Sequence, residues 1–336
     1  MFRVPFLLVA MKIGVVGCGA VGSYYGAKLA HAGEEVHFLL RSDYETVRRT
    51  GVQVRSPQGD FRVRPKCARA PEDIGHCDLV MIALKTTAND QFPKLIPALT
   101  GAATAVLTLQ NGLGNEEQLA AAVSKDQIMG GLCFVCLNRL EPGLVQHIDH
   151  GQVLLGEFQR WPEPRTHDLA SVFRRAGVPC TVTDDLARAH WEKLTWNIPF
   201  NGLGVASAAG FDAVLEGQVQ PGAPLQRCLT TDKLLSDERW SKLLMELMLE
   251  VISGARGLGF DVPVALADKQ VQRTQTMGAY KASTLIDFER RQPLELKSLF
   301  QEPLRQVCVA GVKVPRLAAL CRVLEQLDPG RAAGAA

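Results

Sequence analysis

The chain has 336 residues, 47% of them apolar and 21% charged, the balance of a globular protein and not of a disordered, collagen-like or disulfide-stapled one. Lys and Arg number 37 against 35 Asp and Glu, and the net charge of +2 is too weak a field to favour nucleic acid or an anionic membrane. Nine cysteines, an odd number set singly in apolar runs such as Val307-Cys308-Val309, point to reduced thiols and a cytoplasmic setting.

The opening apolar run from Phe6 to Val16 is broken by Lys12 and Gly14. It falls short of the ~20 residues that span a bilayer and lacks a small-residue cleavage site. Residues 1–10 are therefore expected to be a leader, unstructured or upstream of the true start, with the first element opening at Met11. From there to 184, short apolar runs alternate with helical stretches, the pattern of an α/β domain with a mostly parallel sheet. Residues 12–16 predict a buried strand, 20–32 a helix stopped by Gly33, and 35–40 a second strand, which makes one βαβ unit. Residues 78–84 and 105–109 are continuously apolar, as strands covered on both faces are. In 128–156, Pro142-Gly143 marks a turn between two strand-like runs and predicts an antiparallel extension.

After Asp184-Asp185 the strand signals nearly vanish. Trp240, Leu243, Leu244, Leu247, Val251, Ala255 and Leu258 recur at helical spacing, with Ser236 as the expected N-cap and Asp237 and Glu238 in the first turn. Further helical patterns cover 264–289, 295–310 and 316–327, with a loop at 218–225. The expected organisation is a nucleotide-binding α/β domain over 11–184, an all-helical substrate and catalytic domain over 185–328, and a frayed tail at 329–336.

Gly17-Cys18-Gly19-Ala20-Val21-Gly22 lies directly between the first strand and the first helix. In a dinucleotide fingerprint the first glycine makes the tight turn, the second lets the backbone approach a pyrophosphate, and the third allows close helix–strand packing. The helix N-terminus meanwhile offers N–H groups and positive potential. An NAD site places an acid at the end of the second strand, for the ribose 2′-OH. Arg41-Ser42 stand there instead, with Glu34 and Glu35 at the strand's far end, so NADP(H) is favoured. Lys85, after the 78–84 strand, is at the carboxyl edge where α/β ligands collect.

Lys193, Asn197 and Asn201 follow at i, i+4 and i+8 and form one polar stripe on a predicted helix. Asparagine is a poor interior helix residue, and Pro199 in the same helix weakens its hydrogen bonding. Spacing alone allows either a solvated stripe or a substrate-facing wall. Cys133-x-x-Cys136 followed by His147-x-x-His150 has the wrong spacing for a zinc finger, and no metal is expected. Trp191 and Trp196 read as packing residues. No G-x-S-x-G or P-loop signature supports a hydrolase or kinase.

Several separated motifs, in order and spacing together, carry a resemblance. They are Gly17 to Gly22, Ala83-Leu84-Lys85, Gln110-Asn111-Gly112, the Pro142-Gly143 turn followed by His147, and Trp191-Glu192-Lys193-Leu194 with Asn197 and Asn201. Ser283 to Asp287 follow, and then Pro293-Leu294-Glu295. From residue 11 to about 327 the chain resembles the ketopantoate reductase (2-dehydropantoate 2-reductase) family. The resemblance implies a Rossmann-type α/β N-terminal domain and an all-α C-terminal domain like that of 6-phosphogluconate dehydrogenase. It also implies a cytoplasmic oxidoreductase of pantothenate biosynthesis, monomer or homodimer, in which NADPH reduces ketopantoate to pantoate. Lys193 would be the general acid, with Glu295 orienting substrate and cofactor. Ser283 would bind the substrate carboxylate, and Asn111, Asn197 and Asn201 the substrate or the nicotinamide ribose. Cofactor contacts would come from Gly17, Cys18, Gly19, Ala20, Val21, Gly22, Arg41, Lys85, Asn111, Cys136 and Glu295.

The chain departs from the family pattern at Leu296, Lys297, Phe300 and Gln301 after Glu295, at Gly202 where a proline is usual, at Tyr280, and in an apparent insertion over 210–228. These leave the reaction type standing and bear on which 2-oxo acid is reduced. A paralogous reductase of another branched 2-oxo acid and a non-catalytic NADPH sensor are the alternatives.

Overall fold

The computed structural model describes residues 10–330. The expected leader lies outside the described residues except for Ala10, as does the expected tail beyond Gly330. The chain divides into two units. One runs to Gln110 and resumes over Asn115–Leu186, and the other comprises Asn111–Gly114 and the chain from Ala187 on. A contiguous domain over 11–184 is thus not what forms, because four residues after the 100–108 strand group with the second unit.

The first unit is built on strands β1 (Lys12–Val16), β2 (Glu35–Leu39), β3 (Val52–Arg55), β4 (Phe61–Val63) and β5 (Lys66–Ala68). The sheet continues with β6 (Cys77–Ile82), β7 (Thr100–Thr108), β8 (Ile128–Glu141), β9 (Leu144–Glu157) and β10 (Cys180–Val182). The order β5-β2-β1-β6-β7-β8 is parallel throughout. Strand order reverses at β1, between β2 and β6, which is where open α/β sheets bind ligands. Ile13, Val15, Leu79, Met81 and Leu107 are fully buried, so these strands read as unbroken apolar runs.

The long β8–β9 hairpin is antiparallel and turns at Pro142-Gly143. Its outer strand β9 pairs in parallel with both β3 and β10. Strands β3, β4 and β5 went unforeseen because each has only three or four residues, too few for a period to show.

Among the described residues the second unit is helical. Its core gathers Trp191, Leu194, Ile198 and Phe200 from the helix Leu186–Ala206, and Leu243, Leu244, Leu247 and Val251 from the helix Glu238–Gly257. Each fully buried leucine there contributes roughly 2 kcal/mol relative to exposure. Asp237, not Ser236, caps Glu238–Gly257 and accepts the N–H groups of Arg239 and Trp240. Ser236 instead ends the short helix Thr231–Ser236. The helix expected over 264–289 is two, Leu266–Gln275 and Ser283–Glu289, separated by a segment containing Gly278.

Candidate active site

In the first unit the glycine turn leaves β1 and enters the helix Ala20–His31. Gly17 has φ +98°, and a Cβ there would lie 2.3 Å from Leu84 N. A Cβ on Gly22 would lie 2.2 Å from Gly17 O. Both are required by the protein itself. Gly19 is not: its φ is −74° and a Cβ there would meet no atom within 4 Å. Its missing side chain leaves bare backbone facing open space at a helix N-terminus, which fits the approach of a pyrophosphate. Among the turn's other residues, Ala20 and Val21 open the helix, and the Cys18 thiol is 3.6 Å from Leu39 O. Burial pushes that thiol well above its usual value.

Arg41, just past β2, is exposed and has no ion-pair partner among the described residues. The acids nearest it in sequence are occupied, Glu34 and Glu35 at the far end of β2 included. Glu34 accepts the Met11 N–H at 2.7 Å, and Glu35 binds Lys66 and His37. Asp43, which sequence reasoning passed over, is buried against Arg139 and accepts Ser42 Oγ–H at 3.0 Å. Lys85 is exposed and directly precedes the short turn Thr86–Gln91, while Cys136 is buried in β8 opposite Asp149. Gln110 Nε2 donates to Leu84 O at 3.0 Å and to Asn89 Oδ1 at 2.7 Å, and Asn89 in turn donates to Asn115.

The second unit brings together the other predicted residues from three separate stretches of chain. Lys193 Nζ donates to Asn111 Oδ1 at 2.8 Å. Asn201 Oδ1 accepts from Ser283 Oγ at 3.3 Å and from Thr284 N at 3.1 Å, so it caps the helix Ser283–Glu289 from outside. Leu113 N donates to Ser298 O at 2.9 Å, three residues past buried Glu295. The polar stripe of Leu186–Ala206 is not solvated: Asn197 is 8% exposed and Asn201 3%. No atom of the Asn197 amide has a hydrogen-bond partner among the described residues, and neither is fully enclosed. Trp196 stacks on Phe200 at 4.9 Å and donates Nε1–H to Thr274 Oγ1, which is packing. The Ser298 carbonyl and the Thr284 amide were missed because backbone groups leave no residue-type signal. No cluster of His, Cys, Asp and Glu able to hold a metal occurs among the described residues.

The family model for ketopantoate reductase PanE/ApbA matches residues 13–160, and that for its C-terminal domain matches residues 219–328. The chain belongs to the ketopantoate reductase family. It is 37% identical over 325 residues to the 2-dehydropantoate 2-reductase of a Nostoc species, covering 94% of this chain and 95% of that one. The crystal structure of 2-dehydropantoate 2-reductase from Geobacter metallireducens aligns with a TM-score of 0.86 at 43% identity, over 94% of this chain and 99% of the other. That of the Methylococcus capsulatus enzyme gives 0.82 at 30%, over 94% and 96%. Residues 161–218 of this reductase, with Lys193, Asn197 and Asn201, fall between the two family-model matches.

Gly202 and Phe300 pack closely together with Leu320. A Cβ on Gly202 would lie 2.6 Å from Leu320 Cδ2 and 3.0 Å from Phe300 Cε1. Gly202 therefore makes room first for Leu320 and then for the fully buried ring of Phe300. Leu296 is likewise in the core, Gln301 donates to Glu325, and Lys297 is exposed. The apparent insertion holds the helix Phe211–Glu216.

Proposed function

We propose that this oxidoreductase reduces 2-dehydropantoate to pantoate with NADPH, by direct hydride transfer to the 2-oxo carbon with Lys193 as general acid. The observation that carries the reading is the Lys193–Asn111 hydrogen bond in a unit that also gathers Glu295, Ser283 and Asn201. NADPH, when bound, supplies the hydride. Reduction of a ketone leaves negative charge on its oxygen, and a positioned ammonium both stabilises that charge and delivers the neutralising proton. Asn111 Oδ1 accepts one of the three Nζ–H bonds and so sets the direction of the others. The Ser283 hydroxyl, held by Asn201, stands at a helix N-terminus, a favourable place for the substrate carboxylate. The Asn197 amide offers a donor and an acceptor for the substrate hydroxyl or the nicotinamide ribose.

Preference for NADPH is supported by exposed Arg41 at the end of β2, where the carboxylate of Asp43 is occupied by Arg139. The 37% identity over 94% of this chain to a 2-dehydropantoate 2-reductase supports that substrate over another branched 2-oxo acid. All nine cysteines are free, as suits a reducing cytoplasmic setting, and no described helix is long and apolar enough to cross a membrane.

The test follows NADPH absorbance with 2-dehydropantoate and a panel of 2-oxo acids, and repeats it with NADH. Fastest turnover is expected with 2-dehydropantoate and NADPH. Absence of turnover with every 2-oxo acid, alongside normal NADPH binding, would leave a sensor and sink the reading.

A further inference from the structure

The helix that follows Glu295 does not run in α spacing. Lys297–Gln301 is a π turn, a form that occurs as single-turn insertions and often at functional sites. In it the Glu302 N–H donates to Lys297 O, five residues back, whereas an α turn would have given it to Ser298 O. The next donor in π spacing, the one due to Ser298, is residue 303. That residue is a proline with no N–H, buried in the first turn of Glu302–Val309. The Ser298 carbonyl, in a residue 2% exposed, thus receives neither the Glu302 N–H nor a donor from residue 303.

Leu113 supplies the missing donor at 2.9 Å. The seat admits only glycine beside it: Gly112 has φ +87°, and a Cβ there would lie 2.3 Å from Ser298 O. One residue further back, Asn111 holds Lys193. We propose that Pro303 is a positioning residue for the reaction, because it keeps the π turn open and so reserves the Ser298 carbonyl for the segment that carries Asn111 to the Lys193 ammonium. The inference rests on the reading of Lys193 as the acid.

A merely structural proline at a helix start would show its removal as lost stability. Pro303→Ala restores an N–H and lets the turn close to α spacing. The expected result is an unchanged or raised Tm, a kcat at least ten-fold lower, an unchanged KM for NADPH, and faster hydrogen exchange at the Leu113 amide. In an Asn111→Ala background the same substitution should cost little further kcat, since residues acting through one partner are not additive. Wild-type kcat, a loss undiminished in that background, or a Leu113 amide as protected as before would each overturn the proposal. Should wild-type enzyme turn over no 2-oxo acid, the proposed function falls, and the Leu113 amide still decides for or against the role of Pro303. Pro303→Ser, which also supplies an N–H, repeats the test if the alanine variant does not fold.

Discussion

The glycine turn and the lysine site are built from different materials. The turn is six consecutive residues whose backbone forms the cradle. Its demands are steric, and each is visible as a glycine. The lysine site is assembled from 111–114, 193–201 and 283–298, and several of its links run through the Ser298 carbonyl or the Thr284 amide. A contiguous backbone device tolerates change in any side chain that stays clear of it, whereas an assembled one depends on contacts between distant stretches. Substitutions should therefore separate the two cleanly.

The sharpest contrast comes from Lys193→Ala. Loss of a positioned acid should lower kcat by about 10²–10⁴-fold while fluorescence titration shows nearly unchanged NADPH affinity, and wild-type turnover would dissolve the distinction. In the turn, Gly17→Ala forces a Cβ to 2.3 Å from Leu84 N at positive φ and should destabilise by roughly 3 kcal/mol, read as a lowered Tm without NADPH. Back in the lysine site, Asn201→Ala removes the acceptor for the buried Thr284 N–H and should cost about 1–3 kcal/mol of stability. Asn197→Ala should leave Tm in place and raise KM for the 2-oxo acid. Equal effects of the two would deny them different roles.

Gly19→Ala meets no protein atom. It should leave Tm alone yet weaken NADPH about ten-fold, or ~1.4 kcal/mol; unaltered affinity would mean the cofactor does not approach that backbone. The smallest effect concerns pH. His147 packs at a tilt against Tyr24, accepts Ser56 Oγ–H at Nδ1 and donates Nε2–H to His150 O. Burial lowers its pKa below the ordinary value of about 6.5. The unfolded chain then binds the proton more readily, so this contribution is full above about pH 6.5 and fades as pH falls through that value. Tm should drop between pH 8 and 5.5, and by less in His147→Gln.

What could be read in advance follows the same division. The βαβ opening, the hairpin turn at Pro142-Gly143 and the apolar face of Glu238–Gly257 are local patterns, and the structure contains each. Three-residue strands such as Phe61–Val63 carry no period. The Lys193, Asn197 and Asn201 stripe was visible, but spacing left it between solvent and substrate, and only burial decides that it is not a solvated face. Asn111 could be named as a site residue through resemblance, yet nothing in its neighbours tells that four residues from the middle of the α/β half belong with the helices.

That borrowing bears on how such proteins can be cut and recombined. A fragment beginning at Ala187 would own the lysine and lack the Asn111 amide bonded to it, so under the proposed function, grafting it onto a foreign nucleotide-binding half would transplant an unguided proton donor. A chimera that respects Asn111–Gly114 as property of the helical half needs two splice points, one of them inside what looks on paper like an uninterrupted domain.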